Sequence, residues 1–466
     1  MKLTFLGATQ NVTGSRYLLE TNEVKLLIDC GLYQEREYRG RNWEPFPVPP
    51  DSLDTVVLTH AHLDHCGLLP KLVREGFTGK IHCTEVTSEI ARIVLLDSAR
   101  LQEEDAEFKK KRHKRENRKG KYPEKPLYTV EDAEAVFSHF SESVYEKPVQ
   151  VTKGIRVQFH DAGHILGSSM VEFVLNENGK ERTLVFSGDV GRWDRPILED
   201  PTLIEKADYI TVESTYGDRL HKDTKDVDDK LVEIIDQTCK NGGNIVIPSF
   251  AIERAQELLY QLNQLVNAKR IPNLLVFLDS PMAVSVTKVF EAHPELFDEG
   301  MTEIVNKNLS PFNFSKLKLV RSKNESKAIN YLKGTAIIIA GSGMCTGGRI
   351  KHHLVNNIAR EESTILFVGY QAVGTLGRQI LDGEKQVRIL GANYPVKARI
   401  EKINGFSAHA DRNELFRWLS GFKTKPKQLF VTHGEFKTAQ YFARSVEEKM
   451  GWKTFVPSYK DETALD

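Results

Sequence analysis

Short apolar runs recur along this chain, and several of them stop at a histidine or an acidic residue. Residues 25–28 precede Asp29, residues 55–59 precede His60, residues 183–188 precede Asp189, and residues 209–212 precede Glu213. Apolar runs of about four to eight residues bounded by turn residues are typical of buried strands. The pattern therefore predicts a sheet-based protein with polar side chains at its strand ends, where α/β enzymes usually bind their ligands.

Strand-like and helical patterns alternate in the middle of the chain. Residues 227–235 have a helical period, and the apolar runs are residues 244–248, 274–278, 335–340 and 363–368. This alternation predicts a parallel, three-layer α/β domain. Because donor residues lie on both sides of the stretch, we predict an insertion. The main domain would comprise residues 1–210 plus 395–466, and the inserted domain residues 211–394.

The densest group of polar donors is His60, His62, Asp64 and His65, directly after a strand-like run. Imidazole and carboxylate groups are good zinc ligands. Four of them within six positions exceed what one ion with an open coordination position needs from a single segment, so two ions are predicted. Further donors after apolar runs are Asp29, His164, Asp189, Glu213, His409 and His433. Taken singly, each is more often a loop residue or a satisfied buried polar group.

These motifs resemble a known family. The order of Asp29, residues 60–65, His164 and Asp189 resembles the metallo-β-lactamase fold. The later residues that resemble the three additional motifs of the β-CASP branch are Glu213, His409 and His433. Members of that branch process nucleic acids and include ribonuclease J and the endonuclease of pre-messenger RNA cleavage and polyadenylation.

The resemblance implies a fold class and a substrate class. The fold would be α/β, a metallo-β-lactamase αββα sandwich with an inserted three-layer α/β β-CASP domain. Residues 248–258 and 341–349 also resemble β-CASP sequence, with Glu253 at a position where glycine is commoner. In this branch a histidine at the last motif, here His433, goes with RNA substrates and a valine with DNA.

The resemblance also implies roles for individual residues. One zinc ion would bind His60, His62 and His164, a second would bind Asp64, His65 and His433, and Asp189 would bridge them. Asp29 would orient a ligand imidazole. His409 would be the general acid, Glu213 would support its charged form, and Asp64 is counted with them as catalytic. The implied cofactor is two Zn²⁺ per chain, with Mn²⁺ as an alternative, for two-metal hydrolysis of RNA.

Two glycine-rich segments are candidates for phosphate contact. Residues 341–349 follow a buried strand and lead into a helix, where main-chain N–H groups favour an anion. Residues 369–378 offer a second set of donors, with Tyr370 as a stacking surface. The predicted phosphate-binding residues are Ser342, Gly343, Met344, Arg349, Arg254, Ser407 and Arg378. A glycine-rich loop alone is more often a tight turn. Substrate is expected in a cleft between the domains.

The charge composition limits where a polyanion such as RNA can bind. The 64 basic and 64 acidic residues cancel, so a polyanion-binding protein must concentrate its positive charge locally. Residues 109–121 carry nine Lys or Arg against one Glu. Such a run is either a solvated, mobile loop or an electrostatic recruiter of the RNA backbone, and both readings stay open. The five cysteines form no C-x-x-C pair, which argues against a disulfide framework and a thiolate zinc site.

The sequence predicts a cytoplasmic protein with no membrane association. Residues 1–7 lead into a strand without a secretory signal, and no run of about 18 apolar residues occurs. The predicted partner is single-stranded RNA. The oligomeric state stays open, with a homodimer among the alternatives.

The predicted activity is a metal-dependent ribonuclease. Ribonuclease J-like relatives carry an additional C-terminal domain, whereas this chain ends at Asp466, so endonucleolytic cleavage is favoured over 5′-to-3′ exonucleolytic attack. A small-molecule metallo-hydrolase is a rival, although it leaves the inserted domain and His409 without a role. A non-catalytic RNA-binding subunit is a second rival, against which the intact ligand set argues.

Overall fold

The computed structural model describes residues 1–117, 123–221, 227–369, 371–372 and 374–466. The chain divides into two compact units. The outer unit consists of residues 1–220 and 409–466, and the inserted unit consists of residues 221–408. The domain boundaries inferred from the sequence, after residues 210 and 394, stay predictions. Among the described helices, none combines the length and the apolar character that a bilayer crossing requires.

The outer unit contains two seven-stranded sheets. With strands numbered in chain order, the first sheet contains β1 (Lys2–Phe5), β2 (Tyr17–Glu20), β3 (Lys25–Ile28), β4 (Thr55–Val57), β5 (Lys80–Thr84), β6 (Phe140–Ser143) and β22 (Glu462–Ala464). Its order is β22-β1-β2-β3-β4-β5-β6. The second contains β7 (Val149–Thr152), β8 (Ile155–Asp161), β9 (Ser169–Glu177), β10 (Lys180–Phe186), β11 (Tyr209–Glu213), β20 (Gln428–Thr432) and β21 (Thr454–Phe455). Its order is β21-β20-β11-β10-β9-β8-β7.

Helices cover the sheets of the outer unit. They are α1 (Leu63–Cys66), α2 (Leu69–Arg74), α3 (Glu85–Glu116), α4 (Val130–Ala135), α12 (Arg412–Leu419) and α13 (Phe436–Met450). On the second sheet, Trp418 of α12 and Phe442 of α13 belong to one buried cluster with strand residues such as Val431. These contacts anchor the two helices to the strands that carry donors.

The two sheets of the outer unit pack against each other through their apolar faces. Leu3 and Leu26 of the first sheet share a buried cluster with Phe159 and Phe186 of the second. Burying side chains of this size contributes roughly 1.5–3 kcal/mol each. The packing fixes the spacing of the sheets, and therefore the distance between donors that extend from different strands.

The strand directions bring the donors to one edge. Strands β3, β4 and β5 run parallel, and so do β10, β11 and β20, which places the carboxyl ends of each group side by side. The chain turns sharply after two of these strands, because Asp29 has a φ of 56° and His433 a φ of 48°. Non-glycine residues rarely adopt this left-handed conformation, and it is commonest at functional sites.

The inserted unit is built on one parallel sheet, with the order β14-β13-β15-β12-β16-β19. Its strands are β12 (Ile245–Pro248), β13 (Leu275–Asp279), β14 (Leu317–Leu319), β15 (Ala336–Ala340), β16 (Thr364–Phe367) and β19 (Arg399–Lys402), beside a hairpin of β17 (Gln386–Ile389) and β18 (Ala392–Pro395). Its helices are α5 (Val227–Asn241), α6 (Arg254–Asn267), α7 (Pro281–Ala292), α8 (Glu299–Asn306), α9 (Lys323–Ala328), α10 (Ile350–Asn357) and α11 (Leu376–Leu381). The central strands are wholly buried, as expected of a parallel sheet with helices on both faces.

The first part of the basic segment is helical. Helix α3 continues through residues 109–116, and residues 118–121 of the segment lie outside the described residues. Ion pairs of the i,i+4 type support the helix, with Nζ–O distances of 3.9 Å for Lys109–Asp105 and 3.8 Å for Lys111–Glu107. Of the two readings, the solvated loop does not fit residues 109–116, whose charges lie on a helix.

Candidate metal centre

The first donor set contains three histidines and one aspartate. His60 Nε2 lies 3.1 Å from His62 Nδ1, which lies 3.2 Å from His164 Nε2. Asp189 Oδ2 lies 3.4 Å from Nε2 of both His60 and His164. Ligands about 2.0–2.2 Å from a tetrahedral zinc ion lie roughly 3.3–3.6 Å from each other. The four atoms, 3.1–3.4 Å apart along these contacts, are close to the spacing of a zinc site.

The second donor set shares the same aspartate. His65 Nε2 lies 3.2 Å from His433 Nε2, which lies 3.6 Å from Asp64 Oδ2. The other oxygen of Asp189, Oδ1, lies 3.4 Å from His65 Nε2 and 3.5 Å from His433 Nε2. The two carboxylate oxygens thus face different sets. Buried Asp189 Oδ1 accepts no hydrogen bond from the described residues, and a cation would satisfy it.

Burial keeps the first set in the ligand form. It lowers the pKa of His62 to about 3, helped by the neighbouring His60. Burial also lowers the pKa values of His60 and His164. Neutral imidazoles offer a lone pair to a metal, whereas imidazolium ions do not. These three imidazoles therefore stay neutral at ordinary pH, and each can offer its lone pair to a cation.

In the second set, the pKa values of the histidines are raised and not lowered. Burial opposes the charged form of His65 and His433, but nearby Asp189 outweighs it and raises the pKa of both. For Asp189 itself, burial favours the neutral form, yet the surrounding imidazoles hold the carboxyl pKa well below its usual range. The carboxylates create a strongly negative site, so divalent ions would displace protons from these imidazoles.

Asp29 lies behind the second set and fixes His65. Its Oδ2 lies 2.7 Å from His65 Nδ1 and accepts a hydrogen bond from Ser15 Oγ at 3.1 Å. The backbone N–H of Thr59 donates to Asp29 Oδ1 at 2.9 Å. A carboxylate that binds the far nitrogen of an imidazole sets its orientation and directs the other nitrogen to the metal. Asp29 has this geometry toward His65.

His409 lies beside the first set but is not part of it. Its Nδ1 lies 3.1 Å from Glu213 Oε2, and its ring centroid lies 4.5 Å from that of His164. Burial would lower the pKa of His409, but Glu213 and Asp189 raise it to about 9. The side chain of His409 is 22% exposed, whereas that of Glu213 is fully buried. The pair can therefore present a proton toward solvent-accessible substrate.

Glu213 has a second arrangement open to it. One carboxylate oxygen accepts a hydrogen bond from the Val190 N–H at 2.6 Å. Glu213, Asp189 and His433 also offer donor atoms within 4.8 Å of one another. The contact with His409 is nevertheless closer, and it occupies both carboxylate oxygens at 3.1–3.2 Å. Support of His409 is the role that this geometry favours.

Two positioning threonines were not anticipated from the sequence. Thr59 Oγ1 lies 3.1 Å from His60 Nδ1 and 3.3 Å from His65 Nδ1. Thr215 Oγ1 lies 3.2 Å from His433 Nδ1 and donates to the His433 carbonyl at 3.1 Å. Each lies two residues beyond the end of a strand, Thr59 after β4 and Thr215 after β11. That position was the only available signal, because threonine is common in strands for other reasons.

The predicted phosphate-binding residues lie in the inserted unit, and several already have internal partners. Ser342 Oγ accepts from the Thr346 N–H at 3.0 Å. Arg349 donates to Asp279 Oδ1 at 2.6 Å. The other two arginines are also paired: Arg378 donates to Asp382 at 2.8 Å, and buried Arg254 pairs with Glu257. For Arg349 and Arg254 in particular, this placement favours a structural role.

The two glycine-rich segments pack against each other. The Gly377 N–H donates to the Met344 carbonyl at 3.3 Å, and Gln371 Nε2 donates to the Gly343 carbonyl at 2.8 Å. A Cβ at Gly343 would come within 2.6 Å of the Phe250 ring, so only glycine fits there. Ser407 follows Phe406, over whose ring the Arg254 guanidinium lies at 5.6 Å. Tyr370 lies outside the described residues.

Comparison with known proteins covers both units. Residues 12–214 match the model of the metallo-beta-lactamase superfamily, and residues 255–380 match that of the Beta-Casp domain. Residues 393–457 match the Zn-dependent metallo-hydrolase RNA specificity domain. The chain belongs to the β-CASP family of the metallo-β-lactamase superfamily. The fold class predicted from the sequence is thereby confirmed.

Individual relatives extend over nearly the whole chain. A ribonuclease of Thermus thermophilus is 37% identical, over 93% of each chain. A transcription termination factor of Methanocaldococcus jannaschii is 31% identical over 99% of this chain and 71% of its own. An RNase J-like protein of the same organism is 29% identical over 98% of this chain and 97% of its own.

One solved structure resembles the whole fold. A crystal structure of a protein of unknown function from Enterococcus faecalis has a TM-score of 0.56 and covers 100% of this chain and 99% of its own. At 12% sequence identity the similarity concerns the fold alone.

Proposed function

We propose that this protein is a ribonuclease that hydrolyses phosphodiester bonds of single-stranded RNA with two zinc ions. The observation that carries the proposal is the shared carboxylate of Asp189, whose two oxygens face two complete donor sets at 3.4–3.5 Å. When bound, two zinc ions would lower the pKa of the attacking water and neutralise charge on the scissile phosphate.

The side chains around the two donor sets orient the ligands and transfer the proton. Asp29, Thr59 and Thr215 hold the ligand imidazoles in orientation, so that little reorganisation accompanies the reaction. His409 donates a proton to the leaving oxygen, and the Glu213 carboxylate keeps it charged until it does so. The high pKa of His409, about 9, supports an acid and not a base.

The matched families support RNA as the substrate. The RNA specificity domain matches residues 393–457, a range that includes both His409 and His433. The relative with 37% identity is a ribonuclease. A small-molecule hydrolase would need neither that domain nor the inserted unit, and a non-catalytic subunit would not need both donor sets.

Endonucleolytic attack is the mode that we propose. An exonuclease must hold the end of the chain, usually through its terminal phosphate. Among the candidate phosphate-binding residues, Arg349 is engaged with the fully buried carboxylate of Asp279 at 2.6 Å. This engagement supports a mode that requires no grip on an end.

Cleavage of linear and circular single-stranded RNA tests the proposal. Protein reconstituted with Zn²⁺, or in parallel with Mn²⁺, should bind about two ions per chain and cut both substrates, and a chelator should abolish cleavage. Trace metal after reconstitution would refute the two-metal centre. Degradation of linear RNA with intact circles would replace the endonuclease by an exonuclease.

A further inference from the structure

Two pairs of an aromatic ring and a guanidinium group lie on the surface of the outer unit, and the first pair begins next to His409. The Tyr216 ring centroid lies 6.1 Å from that of His409, and the Arg219 guanidinium lies 5.7 Å from the Tyr216 ring. The backbone joins the two pairs, because the main-chain N–H of Arg412 donates to the Arg219 carbonyl at 3.1 Å. The Arg412 guanidinium lies 5.6 Å from the Tyr441 ring. We call these four residues, Tyr216, Arg219, Arg412 and Tyr441, the Tyr–Arg strip.

The strip is exposed at its outer end and firmly anchored beneath. The side chain of Arg219 is 50% exposed, and Tyr441 is 46% exposed. The turn that carries Tyr216 is pinned to α13, because a Cβ at Gly217 would come within 2.7 Å of Phe442 Cβ. The strip therefore presents planar groups in fixed positions, and a ligand that stacks on them would find them already ordered.

The contacts among these four side chains stabilise the fold too little to explain why they lie together. Surface cation–π pairs are weak, about 0.5–1 kcal/mol each, and Arg219 already pairs with Asp218 at 2.7 Å. Arg412 Nη1 donates to the Tyr441 hydroxyl at 2.6 Å, while its buried Nε has no hydrogen-bond partner among the described residues. The side-chain hydrogen bond of Arg412 among the described residues uses only Nη1, which leaves the rest of the guanidinium group for a further acceptor.

Single-stranded RNA has the chemistry that matches this surface. Bases stack on aromatic rings, and guanidinium groups bind phosphate oxygens. The position of the strip beside His409 selects one part of the substrate. Nucleotides joined to the leaving oxygen must continue outward from the group that protonates it.

We propose that the Tyr–Arg strip binds the RNA nucleotides on the leaving-group side of the scissile phosphate. Tyr216 and Tyr441 stack on bases, and Arg219 and Arg412 contact the intervening phosphates. This inference rests on the proposed function, since it takes His409 as the group that protonates the leaving oxygen.

A cycle that combines protein variants with shortened substrates tests the strip. Tyr441→Ala and Arg412→Ala would be compared with wild type on single-stranded RNA that is either long or cut back to about one nucleotide on the leaving-group side. Loss of one base–aromatic contact corresponds to about a 5-fold or greater rise in KM. We expect that rise on the long RNA, with a smaller change in kcat, and little difference between variant and wild type on the short RNA.

The control is Lys427→Ala. Lys427 also lies over a tyrosine ring, 5.8 Å from that of Tyr209, but Tyr209 begins β11, whose opposite end carries Glu213. Tyr441→Phe keeps the ring and removes the hydroxyl contact with Arg412, so it should retain most of the affinity even if Tyr441→Ala is unstable.

The outcomes separate the strip from the ribonuclease proposal. An equal rise in KM on long and short RNA, or no rise beyond that of Lys427→Ala, would overturn the strip while leaving the enzyme a ribonuclease. Wild-type protein that cleaves neither RNA would overturn both. A rise confined to the long RNA supports the strip.

Discussion

Replacement of His409 separates proton transfer from metal assembly. His409→Ala should reduce kcat by about 10²–10⁴-fold, the usual contribution of a general acid, which corresponds to roughly 2.7–5.5 kcal/mol in the activation barrier. Metal content should stay the same, because His409 Nδ1 faces Glu213 at 3.1 Å and lies 3.9 Å from Asp189, outside both donor sets.

Glu213→Gln gives the pH dependence of the same step. Without bound metal, a pKa of about 9 would leave His409 about 99% protonated at pH 7. If the variant returns the imidazole to about 6.5, roughly a quarter remains protonated, and the loss in rate is about fourfold. At pH 8.5 the same reasoning gives a loss of several tens of fold. Bound divalent ions would lower both pKa values, which moves this window to lower pH and keeps the order of the variants.

Single-turnover cleavage from pH 6 to 9 and elemental analysis, performed on the same preparations, provide the assay. His139→Ala is a matched control, because His139 precedes β6 at the amino end of the parallel strands, opposite the metal-binding residues, and its Nδ1 lies 2.8 Å from the Gly79 carbonyl. The reasoning is refuted if His409→Ala loses metal in proportion to activity, or if it keeps the full single-turnover rate.

Three further predictions concern other parts of the molecule. His433→Ala should lose one metal ion and activity together, and unchanged metal content would exclude it as a ligand. Replacing Lys109, Lys110 and Lys111 by Gln should weaken RNA binding and flatten its salt dependence with little effect on kcat; equal affinity at every salt concentration would leave the helix without an RNA role. Burial lowers the pKa of His160, but Glu172 and Glu146 raise it above its ordinary value. His160 therefore stabilises the fold below about pH 6.5, and this contribution disappears as the pH rises through the raised pKa. The Tm difference between wild type and His160→Gln should narrow from pH 5.5 to 8, and a constant difference would contradict it.

The sequence was most informative where a donor ends a buried strand. The run before His60 was recognised as a strand because apolar residues fill it, and the structure contains β4 (Thr55–Val57) there. Parallel pairing then brings such strand ends together within a sheet, so residues far apart in sequence, such as Asp189 after β10 and His433 after β20, reach one edge. Strand position and residue type can both be read from a sequence, and for that reason the sequence could predict these residues as one group of candidate metal ligands.

The sequence could not predict which side chains form hydrogen bonds or ion pairs with each other. Arg349 was expected to bind phosphate, but it donates to Asp279, 70 residues earlier in the chain, and no local pattern reveals that contact. For the basic segment, a solvated loop was one of two readings, because dense charge is typical of solvated chain. Acidic residues one helical turn earlier, such as Asp105, compensate for it and allow a helix.

The long sequence separation within the donor sets has a consequence during protein synthesis. The first set, His60, His62, His164 and Asp189, is complete once the early part of the chain has been translated, whereas the second requires His433, and proton donation requires His409. A nascent chain on the ribosome would hold at most one of the two sets. Any activity that requires both donor sets would therefore have to wait until His433 has been translated and has reached the earlier strands.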